Sequence, residues 1–173
     1  MSDKPQAAVA ILRTEMPESS VLLIKRAINA NDPWSGHWSF PGGRRDPGDT
    51  DLLDTALREL AEECGIFLVR DNLSEALPFM IAGRRFGREV GVAPFVFRVA
   101  NQLSVRLQEC EAAEGLWLPL AVLADMDRHR WQAVPGLPET IRFPAIEVNG
   151  TPLWGFTYRV LCNWTGVGAP EEP

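Results

Sequence analysis

Glu59, Glu62 and Glu63 stand at i, i+3 and i+4 within the stretch Asp51 to Gly65. If that stretch is helical, their carboxylates are neighbours in space. Three anions brought together repel one another, whereas a hard cation such as Mg²⁺, which takes oxygen ligands, converts the repulsion into attraction. Such a centre also gives an acidic chain a means of handling phosphate. The same residues can equally form a solvated face, with Arg58 pairing with Asp54 or Glu62 at i±4. Context favours the metal: the stretch follows the glycine-rich loop Phe40-Pro41-Gly42-Gly43 and ends in Gly65-Ile66, a C-terminal glycine followed by an apolar contact.

A helix from Asp51 to Gly65 would carry Leu53, Ala56, Leu57, Leu60 and Cys64 on one stripe facing the core, with the three glutamates on the opposite side. Ala7 to Arg13 and Ser20 to Arg26 read as strands joined by a turn at 16–19. Asn29 to Gly43, dense in Asn, Pro, Gly and Trp, reads as a long functional loop. Leu77 to Phe86 and Glu89 to Val99 suggest a hairpin turning at Gly87, with Pro94 at an edge or bulge. Gly115 to Leu118 reads as a short strand, then a helical piece from Pro119 toward Asp125, and Arg128 to Pro138 as irregular. Ile141 to Val148, Asn149-Gly150 and Thr151 to Trp154 give a strong hairpin pattern. Phe156 to Trp164 has helical spacing and stops at Gly166. The expected architecture is a mixed sheet with helices packed on it, one domain over residues 1–168 and a disordered tail at 169–173.

The 173 residues, 46% hydrophobic and 23% charged, fit one ordinary globular domain. The longest apolar run, Leu116 to Ala124 with one proline in it, is about half of what a bilayer crossing requires. The opening residues, acidic and followed by a short apolar stretch, do not resemble a secretory signal. A cytoplasmic protein without membrane partners is expected. With 17 basic against 23 acidic residues and a net charge of −6, a nucleic-acid polymer is an unsuitable partner. The pairs Lys25-Arg26, Arg44-Arg45 and Arg84-Arg85 suit a small phosphorylated ligand instead. Three widely spaced cysteines indicate neither a disulfide frame nor a zinc site, and two histidines exclude an imidazole-rich metal centre. Walker, Gly-x-Ser-x-Gly and Gly-x-Gly-x-x-Gly motifs are absent.

Arg58-Glu59-Leu60-Ala61-Glu62-Glu63-Cys64-Gly65-Ile66 resembles the second half of the Nudix box, and every defined position of that half is met. The first half departs from the general pattern. Fourteen residues separate Gly43 from Arg58 where the box has thirteen, and Asp49 or Asp51 stands nearest the usual upstream glutamate. This longer form, Gly42 to Asp51 followed by Thr55 to Glu59, is similar to the box of coenzyme A pyrophosphatases. Leu22 to Ala27 and Gly36 to Gly43 resemble that subgroup's lead-in, with Ile24 in place of a threonine and Asn31 near the position of its second arginine. Residues 92–99, 111–120 and 153–161 are similar to its remaining blocks, so the resemblance spans most of residues 7 to 165.

The resemblance implies an α/β/α sandwich with a mixed sheet and hydrolysis of a nucleoside diphosphate linked to another group. It places Mg²⁺ or Mn²⁺ on Glu59, Glu62 and Glu63, with the carbonyl of Gly43 as a further ligand. A general base from a second loop is expected, with Glu111 first and Glu114 behind it. Arg26, Arg44 and Arg45 are candidates for the diphosphate oxygens. Trp34, Trp38 and Phe40 could stack on an adenine, Phe40 being assigned to the substrate. Arg58 is expected to tie Asp49 or Asp51 to the helix, and His37 to bond within its loop. Coenzyme A is the expected substrate, with ADP-ribose, a nucleotide sugar or a dinucleotide as alternatives. A non-catalytic nucleotide-binding module is a third reading, and the assembly is expected to be a monomer or homodimer.

Overall fold

The structure, a computed structural model, describes residues 5–29 and 34–168. Its centre is strand β1 (Ala7–Thr14), apolar and short, which runs parallel to β7 (Val90–Arg98) from Ala7 opposite Val92 to Arg13 opposite Arg98. On the other side β1 meets two strands in succession. Antiparallel β2 (Ser20–Arg26) pairs with it only at Arg13 and Thr14, while β4 (Gly42–Arg44) pairs with Ala7 to Val9. β1 and β2 therefore diverge, and β3 (Trp38–Ser39) bonds to Ile24 and Lys25 in the widening gap. β5 (Leu73–Ala76) and β6 (Met80–Ala82) share the outer side of β7, and β8 (Ala112–Pro119) lies along β2. A second, three-stranded sheet is ordered β11 (Thr151–Trp154), β10 (Phe143–Val148), β9 (Arg130–Gln132).

The period of two in β1 and β2 sorts their side chains onto two faces. Ala8, Ala10, Leu12, Leu22 and Ile24 meet helix α1 (Leu52–Cys64) through Leu53, Ala56, Leu60 and Cys64. Ile11, Val21 and Leu23 meet α3 (Gly155–Thr165) and the second sheet through Tyr158, Val160, Leu161 and Ile146. Truncating the fully buried Leu60 to Ala would cost about 2–5 kcal/mol. The result is a helix–sheet–helix stack, as the sequence predicts. A short helix α2 (Leu120–Ala124) follows β8. No helix among the described residues is long and apolar enough to cross a membrane.

Several elements correct the sequence reading. The expected 29–43 loop contains β3 and β4, with residues 30–33 (and thus Asn31) outside the described part. β5 and β9 were not anticipated, and β8 is twice the expected strand. Pro94 lies inside β7, between two neighbours, because the outer ladder is interrupted there: β6 pairs as far as Val92 and β5 from Phe95 onward. The 169–173 tail lies outside the described residues.

Candidate active site

α1 begins and ends where its caps demand. Asp51 accepts a hydrogen bond from the backbone N of Asp54 at 3.0 Å, and Gly65, left-handed at φ 63°, donates to Ala61 O. This register sets the three glutamates, although not all on the solvent side. Glu63 lies beside the apolar stripe at the margin of the core and is 4% exposed, because α1 packs against β4 there. Its Oε2 accepts from the backbone N of Gly42 at 2.8 Å. Burial, and then the charge of Glu59, push its carboxyl up to about 8 against the pull of the Gly42 N–H. Glu59 rests on Gly43, where a Cβ would come within 2.3 Å of its Oε1, and its carboxyl is likewise raised, first by burial. Glu62 is half exposed.

Arg58 joins the helix to the loop before it. Its Nε and Nη2 donate to the two oxygens of Asp49, Nη2 also to Arg44 O, and Nη1 to Glu59 and Glu62 at 2.9 Å each. Of the two loop carboxylates, then, Asp49 takes Arg58. Asp51 and Asp54 pair with Arg70. Asp49 is itself buried and further accepts from Thr55 Oγ1 and Asp46 N. The Arg58 guanidinium holds the Asp49 carboxyl well below the usual carboxylate range.

Glu111, exposed on the turn before β8, is brought to this cluster: its charge raises both Glu59 and Glu63. The turn is pinned by Ala27 N donating to Glu111 O. Glu114 faces elsewhere and accepts from Asn149 Nδ2 in the β10–β11 turn.

Glu59, Glu62, Glu63 and Glu111 form a donor set of carboxylate oxygens, the chemistry a hard divalent ion needs. Glu63 fits best, being a buried carboxylate supported by a single backbone N–H. Among the described residues no three such side chains converge on one point, since Arg58 Nη1 sits between Glu59 and Glu62.

Beside Gly42 and Gly43 opens a cavity of about 690 Å³. Arg26 and Arg44 line it, and Arg26 lies near enough to stabilise the Glu63 carboxylate. Arg45 does not line it: one residue along an extended chain from Arg44 it points the other way, and Nη2 donates to the carbonyls of Asp49 and Thr50. Phe40 is also corrected. At 3% exposure it belongs to the core on the α3 side, so it offers no stacking face. Trp34 lines the cavity, as does the edge of Trp38, whose Nε1 donates to Val148 O. His37 is corrected as well: rather than bonding within its own loop, its ring Nε2 bonds to Pro135 O, 98 residues along the chain.

The sequence did not bring Phe86, Trp131, Phe143 and Trp154 to this wall. Their signal was only that of aromatic residues near turns. Arg84 and Arg85 were visible as a basic pair but had no place until β6 set them beside the cavity, facing Arg159 of α3.

The NUDIX domain model matches residues 4–139. A Nudix hydrolase, NudL of Yersinia enterocolitica, is 31% identical over 155 residues, covering 90% of this chain and 77% of its own. Other curated relatives are longer: the chain spans 32% of a fission-yeast protein and 62% of a Salmonella paratyphi B NudL. Among solved structures, the Nudix hydrolase RenU of M. smegmatis aligns at a TM-score of 0.58 and 21% identity, over 98% of this chain and 90% of that one. The NUDIX domain of Shewanella oneidensis NrtR, solved with ADP ribose, aligns at 0.53 and 26% identity, over 70% and 76%. The matched region contains the glutamate helix, its glycine loop and Glu111, and the chain belongs to the Nudix family.

Proposed function

We propose that this chain hydrolyses the diphosphate bond of a nucleoside diphosphate derivative, with coenzyme A or a coenzyme A-like molecule as substrate. The observation that carries the reading is the juxtaposition of the buried Glu63 carboxyl, held on Gly42, with an arginine-lined cavity that begins at the same glycine. Residues 1–168 act as one unit in this reading.

Glu59, Glu62 and Glu63, with the Gly43 carbonyl, would hold Mg²⁺ or Mn²⁺. When bound, such an ion neutralises diphosphate oxygens and acidifies water. The protein's own residues do the rest. Arg26 and Arg44 grip and orient the diphosphate, and Arg58 fixes the helix against the loop so that the glutamates keep their spacing. Glu111 takes the proton as water oxygen attacks phosphorus, and the P–O bond to the bridging oxygen breaks. With coenzyme A the products are 4′-phosphopantetheine and adenosine 3′,5′-bisphosphate. The aromatic wall of the cavity offers Trp34 as a stacking surface for the base.

A second reading, ADP-ribose as substrate, is favoured by the similarity to a domain that binds it. Coenzyme A, ADP-ribose, a nucleotide sugar and a dinucleotide, each incubated with Mg²⁺ or Mn²⁺ and followed by product mass, decide between them. Cleavage of coenzyme A, abolished by chelation and restored by metal, is the expected result. Intact coenzyme A alongside cleaved ADP-ribose overturns the substrate assignment. Nucleotide binding without any cleavage makes the chain a binding module.

A further inference from the structure

Among the described residues the cavity wall carries six arginines, Arg26, Arg44, Arg84, Arg85, Arg88 and Arg159, and no carboxylate, in a chain of net charge −6. Two of them suffice for the diphosphate. The others are separated from it by the sheet itself. Arg44 lies opposite Ala7, Ala7 opposite Val92, and Val92 opposite Met80. That is three strand spacings, roughly 14 Å, from the Arg44 strand to the β6 strand that leads into Arg84 and Arg85.

At this far end the cations are held together against their own repulsion. Arg159 is fixed by its Nη2 donating to Ile81 O at 2.7 Å, and Arg85 stacks over the Phe143 ring at 5.3 Å. Burial, and then the charges of Arg84 and Arg85, draw the Arg159 guanidinium below its ordinary range. Glu89 pairs with Arg84 on the exposed side, at 3.5 Å. The first residues of α3, Gly155 to Thr157, line the same corner, and no side chain caps that helix end. An anion placed there would relieve the repulsion and meet the positive end of the helix.

We propose that Arg84, Arg85 and Arg159 form a second anion subsite, which takes a phosphomonoester on the nucleotide's ribose while Arg26 and Arg44 hold the diphosphate. This rests on the proposed hydrolase reading and deepens it, because a 3′-phosphate is what distinguishes coenzyme A from its dephospho form and from ADP-ribose. The subsite makes the cavity selective rather than merely basic.

The test compares coenzyme A with dephospho-coenzyme A, and NADPH with NADH, in wild type and in the double variant Arg84→Ala/Arg85→Ala, both exchanges lying outside the core. The wild type should prefer the 3′-phosphorylated member of the first pair in kcat/KM, and the ratio should fall at least tenfold in the variant. Preference confined to the NADPH pair keeps the subsite but moves the ligand to a 2′-phosphate. A ratio unchanged by the substitutions overturns the subsite. If neither pair is cleaved, the coenzyme A assignment fails separately, and calorimetry with adenosine 3′,5′-bisphosphate against AMP decides the subsite. Tighter binding of the bisphosphate, lost in the variant, supports it, and equal affinity overturns it.

Discussion

The backbone N–H of Gly42 donates to the Glu63 carboxylate across 2.8 Å, linking the strand that borders the cavity to the last turn of α1. This contact settles the orientation of a carboxyl that burial makes hard to ionise. Because its pKa in the folded protein, about 8, lies above the ordinary 4.5, the stability it contributes is complete below pH 4.5 and is lost as pH rises toward 8. Glu63→Gln removes that slope. In metal-free protein the variant should melt several degrees higher than wild type at pH 8 and close to it at pH 4.5, at about 2–4 °C per kcal/mol. Turnover should meanwhile fall about a hundredfold or more. Thermal melts at the two pH values check this, and an equal difference at both would contradict it.

The adjacent glycines should fail in different ways. A Cβ on Gly43 would meet the Glu59 carboxylate, 2.3 Å from Oε1, which is the free end of a flexible side chain. A Cβ on Gly42 would meet Ala8 O at 2.4 Å and Val9 Cα at 2.7 Å, both backbone atoms. Gly43→Ala should therefore keep a melting temperature near wild type while losing roughly 10–100-fold in activity as Glu59 is displaced. Gly42→Ala should lower stability outright, by about 1–3 kcal/mol for the forced backbone shift. Melting curves measured beside initial rates separate the two.

Asp49 makes the loop before α1 sensitive to acid. Its carboxyl is held below the usual range by Arg58, so the stability it provides is present above the ordinary value of about 3.9 and is lost as pH falls through the lower, folded one. Asp49→Asn leaves the guanidinium unpaired on that side and should cost about 1–3 kcal/mol at pH 7. Acid unfolding followed by circular dichroism should show the difference between wild type and variant shrinking below pH 4. A constant difference down to pH 2 would mean that the charge is immaterial.

The glutamate helix was readable in the sequence because its signals are local: Asp51 at one cap, Gly65 at the other, and an apolar stripe between them. The burial of Glu63 was not readable. On the helix alone it lies close to the edge of the stripe, and only the approach of β4 decides that it turns inward. Phe40 misled for the mirror reason, since an aromatic beside a glycine loop looks available until β3 carries its flank into the α3 side of the sheet. The divergence of β1 and β2, which makes room for the cavity, depends on pairings between distant segments, and no short-range pattern encodes them. Arg159 stands more than 70 residues from Arg84 along the chain, so their meeting belongs to the topology as well.

Glu111 and Glu114 provide the last discrimination. Glu111 precedes β8, Glu114 lies inside it, and they look alike in sequence, yet of the two Glu111 perturbs Glu59 and Glu63, while Glu114 is engaged by Asn149. A base that receives the proton from water contributes typically 10²–10⁴-fold to the rate. Glu111→Gln should accordingly lower kcat by about a hundredfold with little change in KM, because the substitution leaves the backbone bond from Ala27 in place. Glu114→Gln should stay within severalfold of wild type. If both variants lose activity to the same small extent, the proton goes to neither, and the base must be sought among the box glutamates themselves.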